Sequence, residues 1–244
     1  YYRFISESTI SFCKMQAEII SKYKKAGDYI TTNGMFWNLD NHKMAEECLD
    51  VYTYDSYPSF AFGLNRDPKT AKDLNDRHWS KNLMEQQSGA GGWTTRMEGP
   101  APRPGQLTLW AMQSVAHGAD YISFFRWRTC TFSTEMYWHG ILDYDNRDNR
   151  KLAEVKDFYN KLKCLDEVCG ADYTAAFGVL KDYDNMWDTN VDVWHKRVEA
   201  QSSEEIFIAS EIYHTPYNTL YLNEDTDIKE LQKYPVLIYA HPVI

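Results

Sequence analysis

The sequence predicts an α/β fold built on a parallel sheet. Short β-branched or apolar runs alternate with helical patterns along most of the chain, and the intervals between runs suit crossover helices rather than hairpin turns. Cap and stop residues fall between the patterns, as at Gly27 and Asp67-Pro68.

The elements follow in order. Residues 4 to 25 set Phe12, Met15, Ile19 and Tyr23 at helical spacing, which predicts one apolar face, and Gly27 stops the helix. Tyr29-Ile30-Thr31-Thr32 reads as a strand, then comes a polar stretch, then a second strand at Leu49 to Tyr54. Asp67-Pro68 starts a helix that runs to about Leu83. A short strand follows at Leu83 to Gln86. The junction at Leu83-Met84 has no turn residue, so either the helix ends earlier or residues are missing there. Residues 107 to 117 form a helix, Asp120 to Phe125 a strand, and 151 to 168 a helix whose buried face carries Leu152, Val155, Phe158, Leu162 and Leu165. These units occupy the first 170 residues. A smaller α/β unit follows from 171, with strands at Ala175 to Leu180, Thr219 to Leu222 and Val236 to Ala240. Its helices are signalled by a possible capping box at Ser202-Ser203-Glu204-Glu205 and a short pattern around Ile228 to Leu231.

Composition narrows the function. The 244 residues carry 26 Lys plus Arg against 35 Asp plus Glu, a formal net charge of -9, with no basic block. That balance disfavours nucleic acid and anionic membrane, both of which need clustered positive charge. A mean hydropathy of -0.58 with no long apolar run disfavours a membrane-spanning helix. Five cysteines, an odd number without a CxxC pair, predict a reducing compartment, with cytoplasm as the expected location, though no leader can be read from a chain that opens at Tyr1. Small molecules are the expected ligands.

Three clusters could carry chemistry. Met84 to Trp93 places Glu85 at the end of a short strand, followed by a Gly-rich loop and an aromatic; in a βα barrel that edge faces the active site. The same residues also suit a solvated glutamate in a loop. Asp55-Ser56-Tyr57-Pro58 stands at another strand end, where Tyr57 offers a phenol to orient a carboxylate, and it also reads as a plain turn. Phe124-Phe125-Arg126-Trp127-Arg128, then Glu135, Trp138 and His139, suit a sugar pocket in which rings pack on apolar sugar faces. Core packing accounts equally well for Phe124 and Phe125. Nucleotide-binding, metalloprotease and serine-hydrolase signatures are missing. Asp143, Asp145 and Asp148 form a polar loop rather than a calcium site, because Arg147 occupies a ligand position. His117, Cys164 and Cys169 read as packing residues, and no metal or cofactor is expected.

Taken together, Met84-Glu85-Gln86-Gln87 through Trp93, Pro102-Arg103-Pro104-Gly105 with Leu109-Trp110, Ala116 to Asp120, and Phe125 to Arg128 resemble glycoside hydrolase family 42, the β-galactosidases of clan A. The similarity spans essentially the whole chain. It implies retaining hydrolysis of terminal β-galactosides, with Glu85 as nucleophile and Tyr57, Trp93, Arg126, Trp127, Glu135, Trp138 and His139 as substrate-binding residues. The family has a histidine three residues beyond the Glu135 position, where this chain has Trp138 and then His139. The acid/base glutamate of clan A follows strand four in an Asn-Glu pair, and none precedes Tyr29. Asn223-Glu224 lies in the second unit and is set aside.

A TIM barrel needs eight strands and typically about 250 residues. The resemblance therefore implies the second half of a (β/α)8 barrel over 1–170, then a flavodoxin-like trimerisation domain, truncated, over 171–244, all within a longer protein that supplies the acid/base residue and forms a homo-oligomer. Another clan A specificity, β-glucosidase or α-L-arabinopyranosidase, stays open. So does a non-catalytic sugar-binding or scaffold protein, should the chain be complete.

Overall fold

The computed structural model describes residues 1–34, 38–56, 85–87, 102–133, 136, 140–168, 170–171, 173–189, 191–192 and 198–241. These fall into two compact units, one made of 1–52 with 174–244 and the other of 53–173.

In the first unit, α1 (Tyr2–Ser21) is followed by the two-residue strand β1 (Asn33–Gly34) and by α2 (Asn41–Cys48). The strand expected at Tyr29 to Thr32 is irregular and the pairing begins later, at Asn33. Within the stretch read as polar, Asp40 caps α2 by accepting from the Lys43 N–H at 2.9 Å. Met44 and Cys48, one turn apart, bury against Ile10, Ala17 and Leu39.

The buried face of α1 is not the expected one. Ser6, Ile10 and Ala17 are buried, whereas Phe12, Met15, Ile19 and Tyr23 are exposed, Tyr23 at 81%. Positions 10, 13 and 17 repeat the spacing of 12, 15 and 19 with a two-residue offset, about 200° around the helix. The helix thus carries two apolar stripes, and periodicity alone cannot choose between them.

The same unit contains a parallel sheet in the order β6-β5-β7. Its strands are β5 (Phe177–Asp182), β6 (Tyr217–Leu222) and β7 (Leu237–Tyr239). Two helices stand between β5 and β6, α5 (Tyr183–Asp188) and α6 (Val198–Tyr213), and α7 (Ile228–Leu231) precedes β7. The Ser202 to Glu205 signal marks no helix start: α6 is already running from Val198, and Ser203 donates instead to Glu199 Oε1 at 2.9 Å. Val179, Phe207 and Ile208 are buried. The Arg3 guanidinium binds Asp184, and the Tyr2 ring stacks on Trp187 at 6.2 Å, so the N-terminal helix packs on this sheet's helices.

A pH effect arises at this packing. His42 stacks on Tyr221 with its Nδ1 3.4 Å from the Tyr183 hydroxyl, and burial against these rings lowers its pKa to about 4. The unfolded chain takes up the same proton near the ordinary histidine value of about 6.5. The stabilisation is complete above that value and is lost as pH falls from 6.5 towards 4. The His42 surface is partly open, so we expect a loss of about 1–2 kcal/mol after allowance for solvent screening. Urea unfolding at pH 7.5 and pH 4.5 measures it. His42→Phe should flatten the difference, and an unchanged acid slope in that variant would refute the assignment.

The second unit holds β2 (Thr53–Ser56), β3 (Glu85–Gln87) and β4 (Ser123–Phe125), which lie side by side in that order and are parallel. Two helices pack together beside them, α3 (Gln106–Ala116) and α4 (Arg150–Leu162). The strand expected at Leu49 to Tyr54 begins at Thr53, and the helix expected to reach 168 ends at Leu162, before a 3-10 turn over Asp166–Val168. The expected face of α4 is the buried one: Leu152, Val155 and Phe158 join Leu107, Trp110, Ala111, Ile122, Ile141 and Leu142 in two clusters, with Phe124 packed against both. Glu154 ties the two helices, accepting from the Thr108 N–H at 3.1 Å and from Arg150 at 2.8 Å. The helix expected from Asp67 to Leu83 lies outside the described residues.

Candidate active site

Register positions the site. Asp55 pairs with Glu85, and Glu85 with Ser123, so the three form one row across β2, β3 and β4. The next rows are Ser56, Gln86 and Phe124, then Gln87 with Phe125. Alternation along a strand puts successive residues on opposite faces. Phe124 belongs to the helix-covered face, since its ring meets Phe158 edge-on at 6.1 Å and Tyr159 at 6.3 Å. The Asp55–Glu85–Ser123 row has the opposite parity. Glu85 is the first residue of the described β3 and Ser123 the first of β4, so this row stands at the N-terminal ends of those two strands and not at the strand end expected for Glu85 from the sequence.

Beyond β4 the chain continues through Arg126 and Trp127. The Arg126 guanidinium carbon sits 5.3 Å from the centre of the Phe125 ring, a cation–π distance. Trp127 is 62% exposed and lines a cleft of about 550 Å³ with Phe124, Ile141, Val155 and Tyr159. The cleft is mostly apolar and lies between β4 and α4. The Tyr159 hydroxyl donates to the Ile122 carbonyl at 2.9 Å, and burial raises its pKa.

The stretch after β4 is fastened by an anchor that sequence reasoning missed. Ile141 N–H donates to the Arg126 carbonyl at 2.7 Å and Leu142 N–H to the Trp127 carbonyl at 2.8 Å, while Thr129 N–H donates to the Leu142 carbonyl at 2.9 Å. The buried Thr129 hydroxyl accepts from Gly140 N–H and donates to the Leu142 carbonyl. Buried Lys151, from α4, donates to the Gly140 carbonyl at 2.7 Å and to Asp143 at 2.8 Å. Asn149 caps α4 through the Leu152 N–H and also donates to the Ile141 carbonyl and to Asp143. Only glycine fits at 140, where a Cβ would stand 2.5 Å from the Arg128 carbonyl carbon and 2.6 Å from Thr129 N. No sequence pattern flags Lys151, because an internal lysine on an amphipathic helix reads as a solvated residue. The Asn149 cap is recoverable from its residue type and its place before the periodic run.

Of the residues expected at the site, Arg126 and Trp127 are described, and Glu85 through the backbone register of β3. Tyr57, Trp93, Glu135, Trp138 and His139 lie outside the described residues. Asp143 of the acidic loop serves Lys151 and Asn149. His117 is a packing residue whose ring meets the Gln113 carbonyl at 2.8 Å. Cys164 is exposed rather than core, because it stands beyond the last turn of α4, and Cys169 is not described. Four of the cysteines carry free thiols. Among the described residues no three His, Cys, Asp or Glu side chains converge to hold a metal ion, and no helix is long and apolar enough to cross a membrane.

The described residues thus combine a parallel α/β sheet carrying Glu85 in its central strand with an aromatic and basic stretch beyond the neighbouring strand. The sequence model of the glycoside hydrolase family 42 β-galactosidases matches residues 1–165, and the chain belongs to that family. It is 30% identical over 197 residues to the β-galactosidase LacZ of Heyndrickxia coagulans, an alignment covering 79% of this chain and 29% of that protein. It is 34% identical over 174 residues to the β-galactosidase BgaA of Clostridium cellulovorans, covering 68% of this chain and 26% of the relative. The fold matches that of Gan42B, a family 42 β-galactosidase from G. stearothermophilus, with a TM-score of 0.79 at 27% identity, over 98% of this chain and 36% of that one. It matches the Bacillus circulans β-galactosidase with a TM-score of 0.78 at 27% identity. The chain thus spans about a third of the length of these relatives.

Proposed function

We propose that this chain contributes the nucleophile half of a retaining β-galactosidase acting on terminal β-D-galactosides. The observation that carries the reading is the family match over 1–165 together with the place of Glu85 in the central strand of β2-β3-β4. In that mechanism the Glu85 carboxylate attacks the anomeric carbon from the face opposite the aglycone, forming a galactosyl ester as the glycosidic oxygen leaves. A second carboxyl group about 5–5.5 Å away protonates that oxygen, then deprotonates the water that cleaves the ester. Splitting one displacement into two lowers each barrier. We assign the acid/base role to no residue of this chain. Tyr57, Trp93, Arg126, Trp127, Glu135, Trp138 and His139 are proposed to bind the sugar, rings against its apolar face and polar groups at its hydroxyls.

We further propose that 1–170 is the second half of a TIM barrel and 171–244 the opening of a flavodoxin-like domain of the trimerising kind. The order β6-β5-β7 supports the latter, since a flavodoxin-like sheet, unlike the classic dinucleotide-binding one, places its first strand between its second and third. Free thiols at Cys13, Cys48, Cys130 and Cys164 support a reducing, cytoplasmic setting.

The test is hydrolysis of p-nitrophenyl glycosides by the protein carrying this chain, followed by proton NMR of the first-formed sugar. Turnover of the β-galactoside with β-galactose appearing first is the expected result. Preference for the β-glucoside or the α-L-arabinopyranoside would move the specificity within clan A, and α-galactose appearing first would overturn retention.

A further inference from the structure

We infer that Lys151 is a positioning residue for the sugar site: from the outer helix α4 it holds the Gly140 peptide against the stretch that carries Arg126 and Trp127. The inference rests on the β-galactosidase reading for what that stretch binds, while the anchor stands on geometry alone.

The Gly140 peptide unit and its neighbours are gripped from two sides. Thr129 receives the Gly140 N–H at 2.9 Å, and the Lys151 ammonium reaches the Gly140 carbonyl at 2.7 Å. Thr129 is 1% exposed and Lys151 6%, so neither bond is shared with bulk solvent. Buried lysines are rare and need a partner for their charge. Here Asp143, at 2.8 Å, supplies it. Next along the chain, Ile141 and Leu142 donate to the Arg126 and Trp127 carbonyls, so the position of Gly140 is passed directly to the backbone of both proposed sugar-binding residues. The chain leaves this anchor at Thr129 and returns to it at Gly140, and Glu135, Trp138 and His139 fall between them in sequence. A charged group spent deep in a helix–loop contact far along the chain from Glu85 is explained by a need to fix one geometry, because charge-assisted bonds in a low-dielectric setting are strong and directional.

The experiment compares wild type, Lys151→Met and Thr129→Val in the protein carrying this chain. Lys151→Met keeps the length and removes the donor. It should raise KM for p-nitrophenyl β-galactoside about 5- to 10-fold while kcat changes less than about 2-fold, the signature of lost binding shared by ground and transition states. Thr129→Val should act in the same direction, and the double variant should fall short of the product of the singles, since both act on one peptide unit. Hydrogen exchange supplies a readout independent of turnover: Lys151→Met should speed exchange at Gly140 to Leu142, and galactose should slow it in wild type. A wild type that is active and is killed by Glu85→Gln, with KM unchanged in Lys151→Met and a lowered melting temperature only, overturns this inference and leaves the enzyme reading intact. An inactive wild type, or an active Glu85→Gln, overturns the enzyme reading itself and the inference with it. Should Lys151→Met not fold, an absence of galactose protection at 140–142 in wild type overturns it equally.

Discussion

Replacing Glu85 by Gln should lower kcat on p-nitrophenyl β-galactoside by about 10⁴-fold or more, the range found when a covalent nucleophile is removed from other enzymes. That corresponds to at least about 5 kcal/mol of transition-state stabilisation. The amide keeps the shape of the carboxylate but cannot form the ester, so KM should stay within a few-fold while kcat collapses. Register makes this a local test. Glu85 pairs with Asp55 on one side and Ser123 on the other, in a row whose parity is opposite to that of Phe124. Thermal unfolding should therefore be nearly unchanged. Glu85→Ala with added azide should recover turnover and yield α-galactosyl azide, because the small anion enters from the vacated side and is not displaced again. Activity of Glu85→Gln comparable to wild type, without any added anion, would sink the assignment.

The largest effect on stability is expected at Phe158. It is 1% exposed, the largest fully buried side chain in the described structure, and its ring meets Phe124 of β4 edge-on at 6.1 Å. Phe158→Ala should cost about 3–5 kcal/mol, combining the lost transfer energy with the cavity left among Ala111, Ile122 and Phe124. Phe158→Leu retains most of the volume and should cost much less. Because Phe124 is pressed between Phe158 and Tyr159, loosening this contact should disturb β4 first, so the urea midpoint and the KM for galactoside should move together. A Phe158→Ala variant within about 1 kcal/mol of wild type would show that the site collapses around the deletion.

Parts of the molecule were legible without any structure because they depend on local pattern. The period of Leu152, Val155 and Phe158 selects one face of α4, no second apolar stripe competes with it, and that face is the buried one. Ser123 to Phe125 and Phe177 to Asp182 lie within or beside the expected strands, since β-branched and aromatic runs flanked by turn residues have few alternatives. The order of motifs from Met84 to Arg128 sufficed for the family, and the proposal of Glu85 as nucleophile rests on that resemblance.

Tertiary structure decided what local pattern leaves degenerate. In α1 two apolar stripes share one period, and only the packing of Met44 and Leu39 selects Ile10 and Ala17 over Phe12, Met15 and Ile19. At Ser202 to Glu205 a cap-like tetrad sits inside a helix, because a capping residue works only where the preceding backbone leaves the helix, and here α6 has begun at Val198. The row joining Asp55, Glu85 and Ser123, and the grip of Lys151 and Thr129 on Gly140, link residues 11 to 38 positions apart. Such links depend on register and on a buried charge finding its partner, and neither leaves a mark in the neighbouring sequence.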